Sequence, residues 1–203
     1  TSGYPNGSSG NFYIMPFVGE LEKDQQEFGS TISHKKESAQ PGYYSVLLLE
    51  SKINCEITAT PHAGFCRFEF PTKDNAKVLF SDFTKIKTFG VNAISGNKGE
   101  WFFYAEINRP IKSSKLLKNL FYVELESQAV LLKIGFSKTS AFQAKENLLA
   151  EIPNWDFFDK TKDQAFKTWN DQLSRFKIKG GTAEQKEIFY TSVYHSLLDP
   201  HLE

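Results

Sequence analysis

Two side chains three residues apart, His34 and Glu37, could form a hydrogen-bonded pair. They precede Pro41-Gly42, a dipeptide typical of turns, and the Tyr43-Tyr44 that follows predicts the entry into a strand. The spacing supports two hypotheses. Either the pair is structural and fixes the turn, or it reaches a cleft and faces a substrate.

The other histidines and the acidic run offer less chemistry. His62 falls in a hairpin turn, His201 lies near the last residue, and neither has a partner cluster that would suggest zinc. His195 stands between Tyr194 and Ser196 on a nearly all-apolar helix, which favours a buried histidine satisfied by a hydrogen bond. The acidic, Gln-rich residues 20–27 are interpreted as a solvated loop.

Alternating apolar and polar side chains indicate the elements that position these residues. A short strand is expected at residues 11–15, and residues 53–60 alternate without exception. Three later segments place apolar residues on one face: Trp101, Phe103, Ala105 and Ile107; then Phe121, Val123 and Leu125; then Val130, Leu132, Ile134 and Phe136. This period of two, with turns and no helical period between the segments, predicts a mainly β fold, an antiparallel β-sandwich.

The period changes to a helical one near Ser140. Ser140 and Gln143 have capping-box spacing, so a helix should begin there and run to Pro153. A second helix is predicted at residues 159–176, with a stripe formed by Ala165, Phe166, Trp169, Leu173 and Phe176. Thr182 and Gln185 predict a third helix over residues 182–198. It is apolar on more than half its girth and needs partners on most sides.

Composition excludes two classes of partner. Lys+Arg and Asp+Glu both count 24, so the net charge is zero and gives no footprint for nucleic acid or an anionic membrane. No run of 18 apolar residues predicts a membrane span. The aromatic fraction of 15% favours strands, with most rings expected in the core.

The two cysteines are expected to be buried free thiols. A hairpin of residues 53–60 and 65–70 around the turn 61–64 would pair Cys55 near Phe70 and Cys66 near Ala59. That offset of four residues, at about 3.4 Å each, is too long for a disulfide.

One segment resembles a known family. Residues 33–46 read S-H-K-K-E-S-A-Q-P-G-Y-Y-S-V and match every specified position of the S-H-x-x-E-x-A-x-P-G-Y-Y-x-V signature of the N-terminal domains of glycoside hydrolase family 92. Further stretches agree in order: E-I-T-A-T at 56–60, A-G-F at 63–65, R-F-E-F-P at 67–71, N-L-L-A-E-I-P at 147–153, W-D-F at 155–157 and I-F-Y-T-S-V-Y-H-S-L-L at 188–198. Ser2-Gly3 with Gly10-Asn11 is similar to the family's S-G-x-G…G-N loop.

The resemblance implies a two-part enzyme. Its supersandwich-like β-domain packs against an (α/α)6 barrel and it removes terminal α-linked mannose from glycans with inversion and with calcium. An inverting hydrolase needs an acid and a base carboxylate about 6.5–9.5 Å apart, and no segment here offers such a pair in a pocket. The resemblance places the carboxylates and the calcium ligands in the barrel, beyond Glu203. It also implies a secreted, periplasmic or cell-surface protein, although this sequence carries no signal peptide.

The expected organisation is a β-sandwich domain at 1–138, a helical linker at 139–180 and the beginning of the barrel at 181–203. The chain is interpreted as cut after the third helix, so this polypeptide alone is expected to be inactive. The candidates to face substrate are Ser2, Gly3, Tyr4, His34 and Glu37. Among them Tyr4 lies in a loop and could stack on sugar. Two alternatives remain: a non-catalytic carbohydrate-binding or scaffold module, and the β-domain of another sandwich-plus-barrel enzyme such as a disaccharide phosphorylase.

Overall fold

The computed structural model describes residues 12–21 and 29–198, which form β-strands followed by α-helices. The strands are β1 Tyr13–Val18, β2 Glu37–Gln40, β3 Tyr43–Leu48, β4 Ile53–Ala59, β5 Ala63–Glu69, β6 Ala76–Ser81, β7 Lys85–Phe89, β8 Ala93–Lys98, β9 Trp101–Ile107, β10 Ser113–Leu117, β11 Leu120–Leu125 and β12 Ala129–Ser137. The helices are α1 Ala141–Glu151, α2 Phe158–Leu173 and α3 Ala183–Leu197. Short 3-10 turns occupy His34–Lys36 and Trp155–Phe157. Of the strand expected at 11–15, residue 11 lies outside the described residues.

The strands form two antiparallel sheets, which confirms the predicted sandwich. The small sheet has the order β1-β6-β11-β10, and the large sheet has the order β2-β3-β4-β5-β12-β9-β8-β7. Their inner faces enclose one core, in which Phe68, Val123 and Leu132 are almost fully buried. The faces predicted from alternation in β9, β11 and β12 point into this core, because Phe103, Ala105 and Ile107 are buried with their counterparts.

The alternation in β4 holds only for its first half. Ile53 and Cys55 are buried, but Ile57 on the same face is 40% exposed, whereas Thr58 on the opposite face is buried. Thr58 lies on the outer face of the large sheet, which carries α2, and its hydroxyl donates to the carbonyl oxygen of Gly42 at 2.8 Å. Because α2 covers part of the outer face of the sheet, side chains on both faces of β4 can be buried. The alternation of polar and apolar residues therefore does not predict which β4 side chains are buried.

The predicted register of the cysteine hairpin is wrong by two residues. The turn contains only Pro61 and His62, since the amide of Thr60 donates to the carbonyl of Ala63 at 2.8 Å. Cys55 therefore faces Phe68, and Cys66 faces Ile57. The cysteines are diagonal neighbours, about 7–8 Å apart in such a sheet, beyond disulfide reach. Both are free and buried, as predicted, and burial raises the pKa of each thiol to about 12.

The helices α1 and α2 form a third layer on the outer face of the large sheet. Phe65 of the sheet is buried with Leu148, Ile152 and Phe158 of this layer. The hydroxyl of Ser140 caps α1 by accepting from the amide of Gln143 at 3.0 Å. The predicted reciprocal bond of the capping box is absent, because the Gln143 side chain donates to Asn147 instead.

The packed face of α2 keeps three residues of the predicted stripe, since Ala165, Trp169 and Leu173 are half-buried. The prediction is wrong for Phe166 and Phe176, which are 55% and 42% exposed. A Cβ at Gly42 would lie 2.7 Å from the Cβ of Ala165 and 3.2 Å from the Trp169 ring, so the missing side chain of Gly42 lets α2 pack closely on this turn.

Charged groups fasten this helical layer to the sheet. The Arg67 guanidinium pairs with Glu56 at 2.6 Å and Asp159 at 3.0 Å, and it lies 4.1 Å from the ring centre of Phe158. The buried ammonium of Lys133 pairs with Glu106 at 3.2 Å and donates to the carbonyl oxygen of Ile152 at 3.2 Å. These bonds fix the path of the chain from the sheet into the helices.

Candidate functional site

A polar cluster of His34, Glu37 and Tyr44 lies at one end of the large sheet. The 3-10 turn His34–Lys36 begins after Ser33, whose hydroxyl accepts from the amide of Lys35 at 3.4 Å, and it leads directly into β2. The two-residue turn after β2 pairs Gln40 with Tyr43. This register brings Glu37 and Tyr44 onto the same inner face as diagonal neighbours.

Glu37 accepts one hydrogen bond on each carboxylate oxygen. The Tyr44 hydroxyl donates to Oε1 at 2.7 Å, and His34 Nδ1 lies 2.6 Å from Oε2. The bonds from Tyr44 and then His34 hold the pKa of Glu37 below its usual value, so the carboxylate is ionised at neutral pH. Burial, followed by the bond to Glu37, raises the pKa of Tyr44 to about 12, so the phenol keeps its proton.

The arrangement presents one imidazole nitrogen outward. An ionised carboxylate only accepts hydrogen bonds, so Nδ1 of His34 carries the proton that faces Glu37, and in the neutral form of an imidazole Nε2 is then an acceptor. The His34 side chain is 94% exposed. Ala39 and Ile57 are exposed in the same cross-strand row as Tyr44, nearer to the β2–β3 turn than Glu37 is. At His34 the site can accept a hydrogen bond from a ligand hydroxyl. It has no second carboxylate for acid–base hydrolysis.

The structure brings together two of the five predicted site residues. His34 and Glu37 form the predicted hydrogen bond, while Ser2, Gly3 and Tyr4 lie outside the described residues, as do most of the acidic residues 20–27. Sequence reasoning missed Tyr44. Its signal was present, because a two-residue turn at Pro41-Gly42 fixes the register that places Tyr44 beside Glu37.

The other three histidines lie apart from the His34–Glu37–Tyr44 cluster in the sequence, and two of them are in the described residues. His62 lies in the turn between β4 and β5, and its Nδ1 is 2.6 Å from Oε1 of Glu151 at the end of α1. His195 was predicted to be buried and is exposed, since α3 contacts α2 on one side and none of its residues is buried among the described part of the chain. His201 lies outside the described residues.

The described residues were expected to hold no metal ligands, and their arrangement bears on calcium binding. Within residues 12–21 and 29–198, no three His, Cys, Asp or Glu side chains converge to hold a metal ion. The described acidic side chains therefore form no cluster that would fit calcium.

A second surface of interest is the uncovered helix α3. The predicted capping box of Thr182 and Gln185 is formed. Ile188 is 59% exposed and Leu197 is 40% exposed. The helix is attached by an edge-on contact between Tyr194 and Trp169, with ring centres 4.7 Å apart. Large apolar side chains on such a helix mark an interface.

The three tryptophans do not form a flat sugar-binding platform. Trp101 lies on β9, Trp155 in the second 3-10 turn and Trp169 on α2, and all three are half-buried. Among the described residues no helix is long and apolar enough to cross a membrane.

Comparison with known proteins identifies relatives of one family. The sequence model of the glycosyl hydrolase family 92 N-terminal domain matches residues 1–146, and that of the family 92 catalytic domain matches residues 143–203. A protein of Arthroderma benhamiae named as an uncharacterized secreted glycosidase is 26% identical over 98% of this chain and 34% of its own length.

Solved structures give the same result for the fold. A family GH92 α-mannosidase from Bacteroides thetaiotaomicron superposes with a TM-score of 0.81 at 22% identity, over 94% of this chain and 32% of that chain. Its complex with mannoimidazole superposes with a TM-score of 0.80 at 22% identity, over 94% and 31%. A family GH92 inverting mannosidase from the same organism has a TM-score of 0.80 at 25% identity, over 93% and 30%.

The chain thus spans about a third of the length of the relatives it matches. The match to the N-terminal domain covers well over half of the chain, and it includes the S-H-x-x-E-x-A-x-P-G-Y-Y-x-V segment that builds the His34–Glu37–Tyr44 cluster. The chain belongs to glycosyl hydrolase family 92.

Proposed function

We propose that this chain is the N-terminal domain, with the first helix of the catalytic domain, of an enzyme that removes terminal α-linked mannose from glycans. The observation that carries the proposal is the tandem match of two family 92 domain models along one chain. A relative that shares 25% of its residues with this chain is described as an inverting mannosidase, and another structure of similar fold holds mannoimidazole.

The His34–Glu37–Tyr44 cluster is the part of the described chain best suited to face the sugar. Glu37 orients the imidazole of His34, and Tyr44 holds the carboxylate from the other side. The outward Nε2 accepts a hydrogen bond from a hydroxyl group of the substrate. His34 is thus a binding residue, and Glu37 and Tyr44 are positioning residues. Ser2, Gly3 and Tyr4 remain further candidates for substrate contact.

The catalytic carboxylates and the calcium ligands belong to the (α/α)6 barrel, beyond Glu203. Calcium, a hard ion that prefers several oxygen ligands, would hold and help to distort the sugar ring when it is bound in the barrel.

The barrel is also the partner of α3. Ile188 and Leu197 expose apolar surface on this helix, and burial of apolar area stabilises docking by about 25 cal/mol per Å² before ordering costs. A secreted, periplasmic or cell-surface location is part of the proposal, and it is supported by the name of the Arthroderma relative.

Hydrolysis by the full-length protein tests the proposal. The enzyme should release mannose from an aryl α-mannoside, lose activity with a chelator and regain it with calcium. NMR of the first product should show the β-anomer, as inversion requires. Release of a different sugar, or no hydrolysis of any α-mannoside, would contradict the proposal.

A further inference from the structure

The turn between β2 and β3 docks against α2 and forms a groove beside it. Gly42 has a φ of +81°, and a Cβ at this position would lie 2.7 Å from the Cβ of Ala165. This close approach brings Gln40 and Tyr43, on either side of the turn, next to α2. The resulting groove has a volume of about 250 Å³ and is lined by Gln40, Tyr43, Lys162, Asp163 and Phe166.

The base of the groove is fixed in place. The Tyr43 hydroxyl donates to Oε1 of Glu56 at 2.6 Å, and the Lys162 ammonium lies 4.7 Å from the centre of the Tyr43 ring. Adjacent residues on a strand point to opposite faces. Tyr43 therefore lines this groove on the outer face of the sheet, while Tyr44 belongs to the His34–Glu37–Tyr44 cluster on the inner face.

The rim of the groove carries groups that suit a neutral, hydroxyl-rich ligand. Phe166 is 55% exposed and offers a ring to an apolar ligand face. The Asp163 carboxylate accepts hydrogen bonds, the Lys162 ammonium donates them and the Gln40 amide does both. One positive and one negative side chain leave no net charge, which disfavours an anion or a cation. An aromatic ring with a few convergent polar groups is a common composition for small-ligand sites.

We propose that this groove is a second, non-catalytic carbohydrate-binding site that takes one sugar ring of a glycan. Its volume lies below the roughly 300–1,000 Å³ of sites for larger small molecules, which fits a single ring. The C–H face of the sugar stacks on Phe166, and its hydroxyls bond to Asp163, Lys162 and Gln40. The choice of mannose as that sugar rests on the proposed function, whereas the groove itself does not.

The experiment compares retardation of the full-length protein in native gels that contain an α-mannan with retardation in gels without polymer. The variants are Phe166→Ala and Asp163→Asn. Phe142→Ala is the matched control, because Phe142 is 70% exposed on α1, away from the groove. Activity on an aryl α-mannoside is measured for each protein in parallel.

We expect α-mannan to retard the wild type, and we expect Phe166→Ala and Asp163→Asn each to weaken binding roughly threefold to tenfold. Phe142→Ala should bind as the wild type does, and kcat/KM on the aryl mannoside should be unchanged in all variants. Wild-type-like retardation of both groove variants, or no retardation of the wild type, would overturn the inference. The wild type could also be retarded by α-mannan without cleaving any mannoside. If Phe166→Ala then still reduces retardation, the proposed function is wrong and the binding site in the groove is confirmed.

Discussion

The Nδ1 atom of His34 lies 2.6 Å from Oε2 of Glu37, although the two residues belong to a 3-10 turn and a strand. Replacement of His34 distinguishes a structural from a substrate-facing role for this pair. If His34 makes the proposed contact, His34→Ala in the full-length protein removes one hydrogen bond to substrate and should lower kcat/KM roughly threefold to tenfold. The melting temperature should stay unchanged, because the His34 side chain is 94% exposed.

Replacement of Glu37 separates orientation from binding. Glu37→Gln removes the charge that orients His34, so kcat/KM should fall as in His34→Ala, and the double variant should lose little more. Glu146→Gln, on the exposed side of α1, is the control and should leave kinetics unchanged. Full activity in both His34→Ala and Glu37→Gln would favour the purely structural hypothesis.

A methyl group at Gly42 should separate α2 from the sheet. Gly42→Ala places a Cβ at a φ of +81° and in a clash with Ala165, whereas Gly99→Ala places a Cβ at a φ of +55° with no atom within 4 Å. The left-handed strain costs about 1–2 kcal/mol at either site, and the clash should add roughly 1–3 kcal/mol at Gly42 alone. Urea denaturation of the two variants measures the difference. Equal destabilisation would mean that α2 is not seated on this turn.

The link between α1 and the β4–β5 turn should weaken in acid. Burial raises the pKa of Glu151, but hydrogen bonds from the Thr60 hydroxyl, the His62 amide and the His62 ring outweigh it and hold the pKa below its usual value. A lowered pKa in the folded state stabilises the protein above the unfolded-state value of about 4.3, and this contribution is lost as pH falls through the folded value.

Glu151→Gln should therefore lose less stability than the wild type between about pH 6 and pH 3. Unfolding midpoints in urea across this range measure the effect, with Glu146→Gln as the control that should follow the wild type. Parallel curves for Glu151→Gln and the wild type would show that the Glu151 carboxylate does not titrate with folding.

Helix α3 should exchange its amide hydrogens faster in the 203-residue chain than in the full-length protein. None of its residues is buried among the described residues, so its amides are protected only by the helix itself. The barrel should cover Ile188, Leu197 and Leu198 and slow exchange by orders of magnitude. Strong protection of residues 188–198 in a dilute, monomeric 203-residue chain would contradict this assignment of the partner.

Much of the fold could be predicted from local patterns. Side chains such as Phe103 and Val123 alternate because one face of each strand is buried, and the switch to a helical period at Ser140 coincides with the end of β12. The family signature also located His34 and Glu37. These signals are local, so a sequence carries them without knowledge of the partner strands.

The rest depends on contacts between distant residues. A lysine in a sequence normally indicates a solvated position. Lys133 is only 2% exposed, because its ammonium group is paired with Glu106 and donates a hydrogen bond to the carbonyl oxygen of Ile152. Thr58 is buried because α2 covers it. The pairing of Cys55 and Cys66 across β4 and β5 depends on a turn of two residues, where four were expected. The groove beside Tyr43 likewise arises only when Gly42 meets Ala165.

We infer that residues 1–203 contribute a substrate-facing surface but not the catalytic carboxylates. The most direct test is the rate of aryl α-mannoside hydrolysis by the purified 203-residue chain, measured beside the full-length protein at equal concentration with calcium present. We predict turnover by the full-length protein and a rate equal to the buffer control for the 203-residue chain. Chelator-sensitive turnover by the 203-residue chain would contradict the account.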